Sequence, residues 1–281
     1  MFRIVLLMIA IMAGVFVLVT NIAAKKTHQP TINPIAEIGR GLRNGLNNAD
    51  RLAPDLSGAL KRAETDLKID AKPSTTPADD AARNFAGADF SGQTKTKATF
   101  ASAALTKAHF INTLLDGATF EGANGEEVDF AKAQLGKASL DASVLRRSDF
   151  TGAALRGASA RAADLSNSDF SGADLSFAKF TAATAEGAIF TGVYATGAIF
   201  MDARLHGASF KEADVTGVRF SGADLSDADF SNAHVEAADF AGAKLFGADL
   251  SSVVGAKPDQ FAKACADAET RLPPGATAPS C

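Results

Sequence analysis

Every fifth residue from Phe90 to Leu250 falls in one register. Of these 33 positions 28 are Phe, Leu or Val, and Ala160, Ala185 and Ala195 are three more. Two residues before each of these centres lies a second fixed slot, which is Ala at 25 of the 33 sites, as at Ala173, Ala223 and Ala248. A period of five matches neither the 3.6 of an α-helix nor the 2 of a β-strand. Strict repetition at a short fixed period instead marks a solenoid, in which each unit buries its apolar residue only against neighbouring coils.

The units Ala-Asp-Leu-Ser-Asn (163–167), Ala-Asp-Leu-Ser-Phe (173–177) and Ala-Asp-Leu-Ser-Asp (223–227) carry a motif of the form A(D/N)LXX. In this the chain resembles the pentapeptide-repeat family over about 165 residues. The resemblance implies an all-β solenoid, a right-handed quadrilateral parallel β-helix with four units per coil. It also implies that the centre and the small residue two before it point inward, and that the other three residues point outward.

Twenty residues per coil would stack the centres in four columns. Phe90, Phe110, Phe130, Phe150, Phe170, Phe190, Phe210 and Phe230 share one, and Phe100, Phe120, Phe180, Phe200, Phe220 and Phe240 share the opposite one. Leu and Val fill the other two. About eight coils of about 4.8 Å give a rod about 40 Å long. The register lapses twice. Gln93 and Lys95 take both inward slots of one unit, which predicts a frayed starting coil. Gly125 replaces a centre and Val128 a small residue, which predicts a bulge or small loop, with a functional loop at Asn124–Glu127 as the alternative.

Four segments follow. Residues 1–26 open with Met1-Phe2-Arg3, continue through 21 uncharged residues from Ile4 to Ala24, and close on Lys25-Lys26. As a helix that run spans about 31 Å, the thickness of a hydrocarbon core. It reads as a transmembrane anchor, with a cleaved signal peptide as the alternative, although Ile22 and Asn21 suit neither candidate cleavage site. Residues 27–84 read as an α-helical stalk and a linker. Asn33 and Pro34 start one helix with Ile35, Ile38, Leu42 and Leu46 on a face; Pro54 starts another with Leu56, Leu60, Ala63 and Leu67; 71–81 is Pro-rich linker. Residues 85–252 are the repeat. Residues 253–281 are a cap and tail, with a helical stretch from Gln260 to Glu269 and with Phe261 and Ala264 placed to cover the last coil.

The only cysteines are Cys265 and Cys281, both in the tail. An isolated even pair suits one disulfide in an oxidising compartment, and two idle thiols are the other reading. The segment from Ala264-Cys265 to Leu272-Pro273-Pro274-Gly275 is similar to a tail seen after bacterial pentapeptide repeats.

No motif for catalysis, a cofactor or a metal stands out. His109, His206 and His234 occupy outward slots, and none has a ligand partner at metal spacing in the sequence. Two surface features rise above the background. One is an acidic ladder just before the first-column centres: Asp89, Asp129, Asp149, Asp169, Asp229 and Asp249. It reads either as mimicry of DNA, as in pentapeptide-repeat proteins that protect gyrase, or as turn-forming Asp that belongs to the repeat. The other is a charge-poor belt of outward Ile189, Tyr194 and Ile199 with Phe177 nearby, a candidate interaction surface.

The sequence thus points to a bacterial inner-membrane, single-pass protein with a non-catalytic rod on the periplasmic side. It would be a scaffold for an unidentified protein partner or a second copy of itself, attached to the membrane by its N-terminal helix and making no direct contact with nucleic acid. A cytoplasmic DNA-mimic regulator of a nucleic-acid enzyme such as gyrase is the alternative.

Overall fold

The computed structural model describes residues 84–281, and the anchor, stalk and linker expected before Asn84 lie outside the described residues. From Asn84 onward the chain winds as a β-helix. Parallel bridges join residue i to residue i+20 without interruption, from Asn84 with Ala104 to His234 with Val254. Twenty residues per coil is four units per coil, so the tube has four walls. We number them by their centres: first (Phe90), second (Lys95), third (Phe100) and fourth (Leu105).

The corner between walls explains why the repeat is five residues long. In nearly every unit the N–H three residues past the centre donates to the carbonyl of the centre, as Ala103 does to Phe100 at 3.1 Å. The residue two past the centre has positive φ at every unit from Gly87 to Gly247. This is a type II turn, whose third residue must be left-handed. Eighteen of these corners carry a residue other than glycine, among them Lys97, Asn167, Phe177 and Asp202, yet none is Val, Ile or Thr. β-Branched side chains are the worst suited to that conformation. Between turns, the centre N–H and the corner N–H donate to the following coil, as Phe100 to Thr119 at 2.6 Å and Ser102 to Glu121 at 2.8 Å. Four of the five N–H groups of a typical unit are thereby paired with backbone, although no wall is longer than a bridge.

Inward slots make the core. Phe110 through Phe240 are fully buried, as are the Leu and Val centres and nearly every Ala two before them. Within a column the rings stack, with Phe150 and Phe170 centroids 4.6 Å apart and planes 3° apart. Across the tube, first-wall and third-wall rings meet edge to face, as Phe110 and Phe120 do at 5.6 Å and 86°. Both are favoured aromatic geometries. Each buried Phe contributes roughly 1.5–3 kcal/mol relative to exposure.

Three expectations need correction. The starting coil is not frayed: Lys95 N–H donates to Leu114 and Gln93 N–H to Phe90 as in any other unit. Only its side chains depart, with Gln93 exposed and the Lys95 ammonium 5.3 Å above the Phe90 ring. Gly125 and Val128 make no bulge. Asn124 keeps both bridges, to Ala104 and Val144, and Val128 is fully buried. The turn itself changes, because Val128 N–H donates to Ser148 Oγ at 3.2 Å and Ser148 N–H to Ser168 Oγ at 3.1 Å. Buried serine hydroxyls replace the turn carbonyl on this wall. Nor is 124–127 a free loop: Glu127 pairs with Lys107 at 3.5 Å, and Glu126 with Arg146 and Arg147.

The third correction is the tail. Its helical part is a single 3₁₀ turn, Pro258–Phe261, rather than Gln260 to Glu269. Beyond it Cys265 pairs with Lys244 and Arg271 with Asp249, so the tail adds two irregular walls to the last coil. Phe261 is buried and stacks on Phe240 at 5.1 Å, and Ala264 is buried beside it. Gln260 Nε2 donates to the carbonyls of Val235 and Ala238 at 2.9 and 2.8 Å, and Thr270 Oγ1 to that of Leu245 at 2.7 Å. Side chains here satisfy the carbonyls that an open solenoid end would leave unpaired.

Candidate functional site

With the inward slots spent on the core, function is left to the outward residues. The six Asp of the ladder lie on the first wall. Each Oδ1 accepts the N–H two residues on: Ser91 at 2.9 Å, Ala131 at 3.0 Å, Thr151 at 2.7 Å, Ser171 at 2.8 Å, Ser231 at 2.9 Å and Ser251 at 3.1 Å. Asp164, Asp174, Asp224 and Asp239 do the same on other walls. Asp in this slot therefore builds the corner wherever it occurs. The ladder is also broken by His109, Ile189 and Ser209, which take the same slot in other coils. Cations face part of it: Lys211 lies 3.0 Å from Asp229, Arg271 2.9 Å from Asp249 and His109 3.7 Å from Asp129.

These contacts tune the carboxylates. The Ser91 hydroxyl and N–H, with His109 beside them, hold Asp89 below the usual carboxylate range. At Asp229, burial pushes the pKa up, but the Ser231 hydroxyl and N–H together with Lys211 outweigh it, and the net direction is down.

The apolar belt does not form one surface. Ile189 is on the first wall, Tyr194 on the second and Ile199 on the third, all in one coil, so they face three directions. Tyr194 is 62% exposed, Ile189 40% and Ile199 less. Phe177 occupies the corner between the second and third walls one coil earlier, left-handed and 53% exposed. Of the four residues, the structure brings only Tyr194 and Phe177 to the same side of the rod.

The histidines differ from the sequence reading in one respect: His109 and His206 each have one carboxylate neighbour, Asp129 and Asp227, both at 3.7 Å. Coils stack residue i on i+20, which places such pairs side by side. Among the described residues no group of three or more His, Cys, Asp or Glu is arranged to hold a metal ion. Cys265 and Cys281 are bonded to each other with Cα atoms 5.5 Å apart, and Ala266 N–H donates to Pro279 at 2.9 Å to hold the returning tail. Among the described residues no helix is long and apolar enough to cross a membrane; the apolar run 4–24 lies outside them.

Comparison with known families matches this repeat directly. A model described as pentapeptide repeat region matches residues 163–240, and one described as pentapeptide repeats (8 copies) matches 84–122, 103–141 and 126–159. Together they span more than half of the chain. The chain belongs to the pentapeptide-repeat family. Among solved pentapeptide-repeat structures, a trypsin-treated form of QnrB1, a plasmid-mediated fluoroquinolone resistance protein, is 21% identical. The match covers 70% of this chain and 89% of that one, with a TM-score of 0.54. HetL, a pentapeptide repeat protein involved in heterocyst differentiation regulation from the cyanobacterium Nostoc, is 23% identical, with 68% and 90% covered and a TM-score of 0.29. At these identities the likeness speaks to fold alone. No match was found among curated proteins.

Proposed function

We propose that this pentapeptide-repeat protein is a non-catalytic scaffold of the bacterial envelope. Residues 1–26 anchor it in the inner membrane, and the rigid rod is presented to a protein partner on the periplasmic side. The observation that carries this reading is the bonded pair Cys265–Cys281, which closes the cap over the last coil. Structural disulfides persist in oxidising compartments and are rare in the bacterial cytosol. The outward residues fit the same reading, because their carboxylates are engaged in corners and ion pairs rather than left free for chemistry.

Fusions at the C-terminus test it. A reporter that works only outside the cytoplasm should be active, one that works only inside should be silent, and the full chain should stay with membranes through salt and carbonate washes. The reverse reporter pattern would place the rod in the cytoplasm and turn the acidic first wall back into a DNA-mimic surface. A mature N-terminus near Ala24 would replace the anchor with a signal peptide.

A further inference from the structure

A concavity on the rod runs along its axis, beside the second wall and the corner that follows it. It is a groove of about 720 Å³ whose lining includes Lys97, Gly117, Lys137, Arg156, Gly157 and Phe177. The corner alternates coil by coil. Lys97, Lys137 and Phe177 project, while Gly117, Gly157 and Gly197 lie between them; a Cβ on these glycines would meet Lys97 Cγ at 3.5 Å, Lys137 Cγ at 3.8 Å and the Phe177 ring at 3.1 Å. Each large corner side chain thus leans over the glycine of the next coil.

Three features coincide on this stripe. Five large apolar residues stand out as exposed among the described residues, and three of them lie here: Leu114 at 42%, Phe177 at 53% and Tyr194 at 62%. Lys97, Lys137 and Arg156 have no carboxylate within ion-pairing distance among the described residues, whereas Arg146, Arg147 and Lys107 elsewhere are paired. Asp116 and Asp174 also line the groove, and Asp174 is engaged by the Ser176 N–H at 2.9 Å. Finally, Phe177 is held in place, with the Arg156 guanidinium 5.1 Å from its ring centre and Gly197 so close that a Cβ there would lie 3.1 Å from the ring. A fixed aromatic loses little freedom on binding.

We infer that this axial stripe is the docking site for an amphipathic helix of a partner protein, with an apolar face toward Leu114, Phe177 and Tyr194 and an acidic flank toward Lys97, Lys137 and Arg156. The period favours a helix. Its pitch of about 5.4 Å nearly equals the coil rise of about 4.8 Å, so a helix laid along the axis sets about one side chain per turn against each coil. An extended strand presents one face every 6.6–6.8 Å or so and falls out of step. From the coil of Lys97 to that of Phe177 is four steps, about 19 Å, or about 13 helical residues. Unpaired cations beside exposed apolar groups match acid-flanked apolar segments and repel basic ones.

The site rests on the interaction-module reading, and one experiment separates the two. A photo-crosslinking residue is placed at Leu114, Gln134 or Tyr194 of the full-length chain in its own cells, and in parallel at Asp149 or Asp229 on the first wall and Arg219 on the third. The stripe should trap a protein and the other walls should not, and the trapped peptide should be acidic with apolar residues at helical spacing. Lys97→Glu with Lys137→Glu should cut the adduct at least about tenfold while leaving thermal unfolding unchanged, and Lys97→Arg with Lys137→Arg should retain it. Adducts from the first or third wall only, a basic trapped peptide, or an adduct indifferent to the charge reversals would overturn the stripe and leave the scaffold standing. No protein adduct from any wall would overturn both.

Discussion

Val128 occupies the space that a side chain at position 125 would need: a Cβ on Gly125 would lie 2.7 Å from Val128 Cγ2, and 2.9 Å from Leu105 in the coil before. The missing centre and the oversized neighbour are one substitution in two parts. Gly125→Ala should therefore destabilise by about 1–3 kcal/mol through overpacking. Adding Val128→Ala should recover part of that, with a coupling of at least about 0.5 kcal/mol between the two sites. Urea unfolding of the single and double variants decides this; simple additivity would mean the two positions are unrelated.

The register itself predicts a sharp contrast between adjacent residues. Phe210 is fully buried and stacks on Phe190 and Phe230, each at 4.8 Å. Its neighbour Lys211 is an exposed partner of Asp229. Phe210→Ala should cost roughly 3–5 kcal/mol, and Lys211→Ala no more than about 1 kcal/mol. Similar small effects at both sites in denaturant melts would refute the inward and outward assignment.

The inward and outward register was legible because Phe, Leu and Val recur at every fifth residue with Ala two before them; that four such units close a coil came from the resemblance to pentapeptide repeats. What was not legible depended on neighbours one coil away. The compensation at Gly125 and Val128 looked like a bulge, since the serine hydroxyls of Ser148 and Ser168 that replace the turn bond come from the following coils. The His109–Asp129 and His206–Asp227 pairs arise from the same stacking. The belt of Ile189, Tyr194 and Ile199 spreads over three sides of one coil, because residues five apart lie on successive walls. In the tail, Gln260 to Glu269 has helical composition, but pairing of Cys265 and Arg271 with the last coil overrides local preference after one turn.

Left-handed corners give a prediction with two signs. A Cβ on Gly192 (φ 63°) would meet nothing within 4 Å, so substitution there is penalised by conformation alone. Gly192→Val should destabilise by about 1–2 kcal/mol. Ala182, at φ 55° in the equivalent slot, should gain up to about 1 kcal/mol as Ala182→Gly. Melting temperatures moving the same way in both variants would contradict the corner assignment.

Acid should weaken the rod through its corner carboxylates. The Ser221 hydroxyl, 2.5 Å away, and the Ala241 N–H hold Asp239 below the usual carboxylate range despite partial burial. A carboxylate with a depressed folded-state pKa stabilises fully above its unfolded value of 3.8 and loses that contribution as pH falls through the folded value. Stability should be flat above about pH 5 and decline below about pH 4. Ser221→Ala should move the Asp239 titration, followed by NMR, upward toward the ordinary value; an unmoved titration would show that the hydroxyl is not the cause.

Cys265 and Cys281 also offer the most direct test of the scaffold as an envelope protein. Thiols in intact cells are blocked with a mass-tagged alkylating reagent, before and after reduction, and the full-length chain is followed by its shift on a gel. The proposed location predicts no label before reduction and two labels after it. In the oxidised protein, Cys265→Ser should loosen only the coil around Leu245 and Leu250, because solenoid stability is mostly nearest-neighbour. Two thiols labelled in untreated cells would contradict an envelope location and place the rod in a reducing compartment.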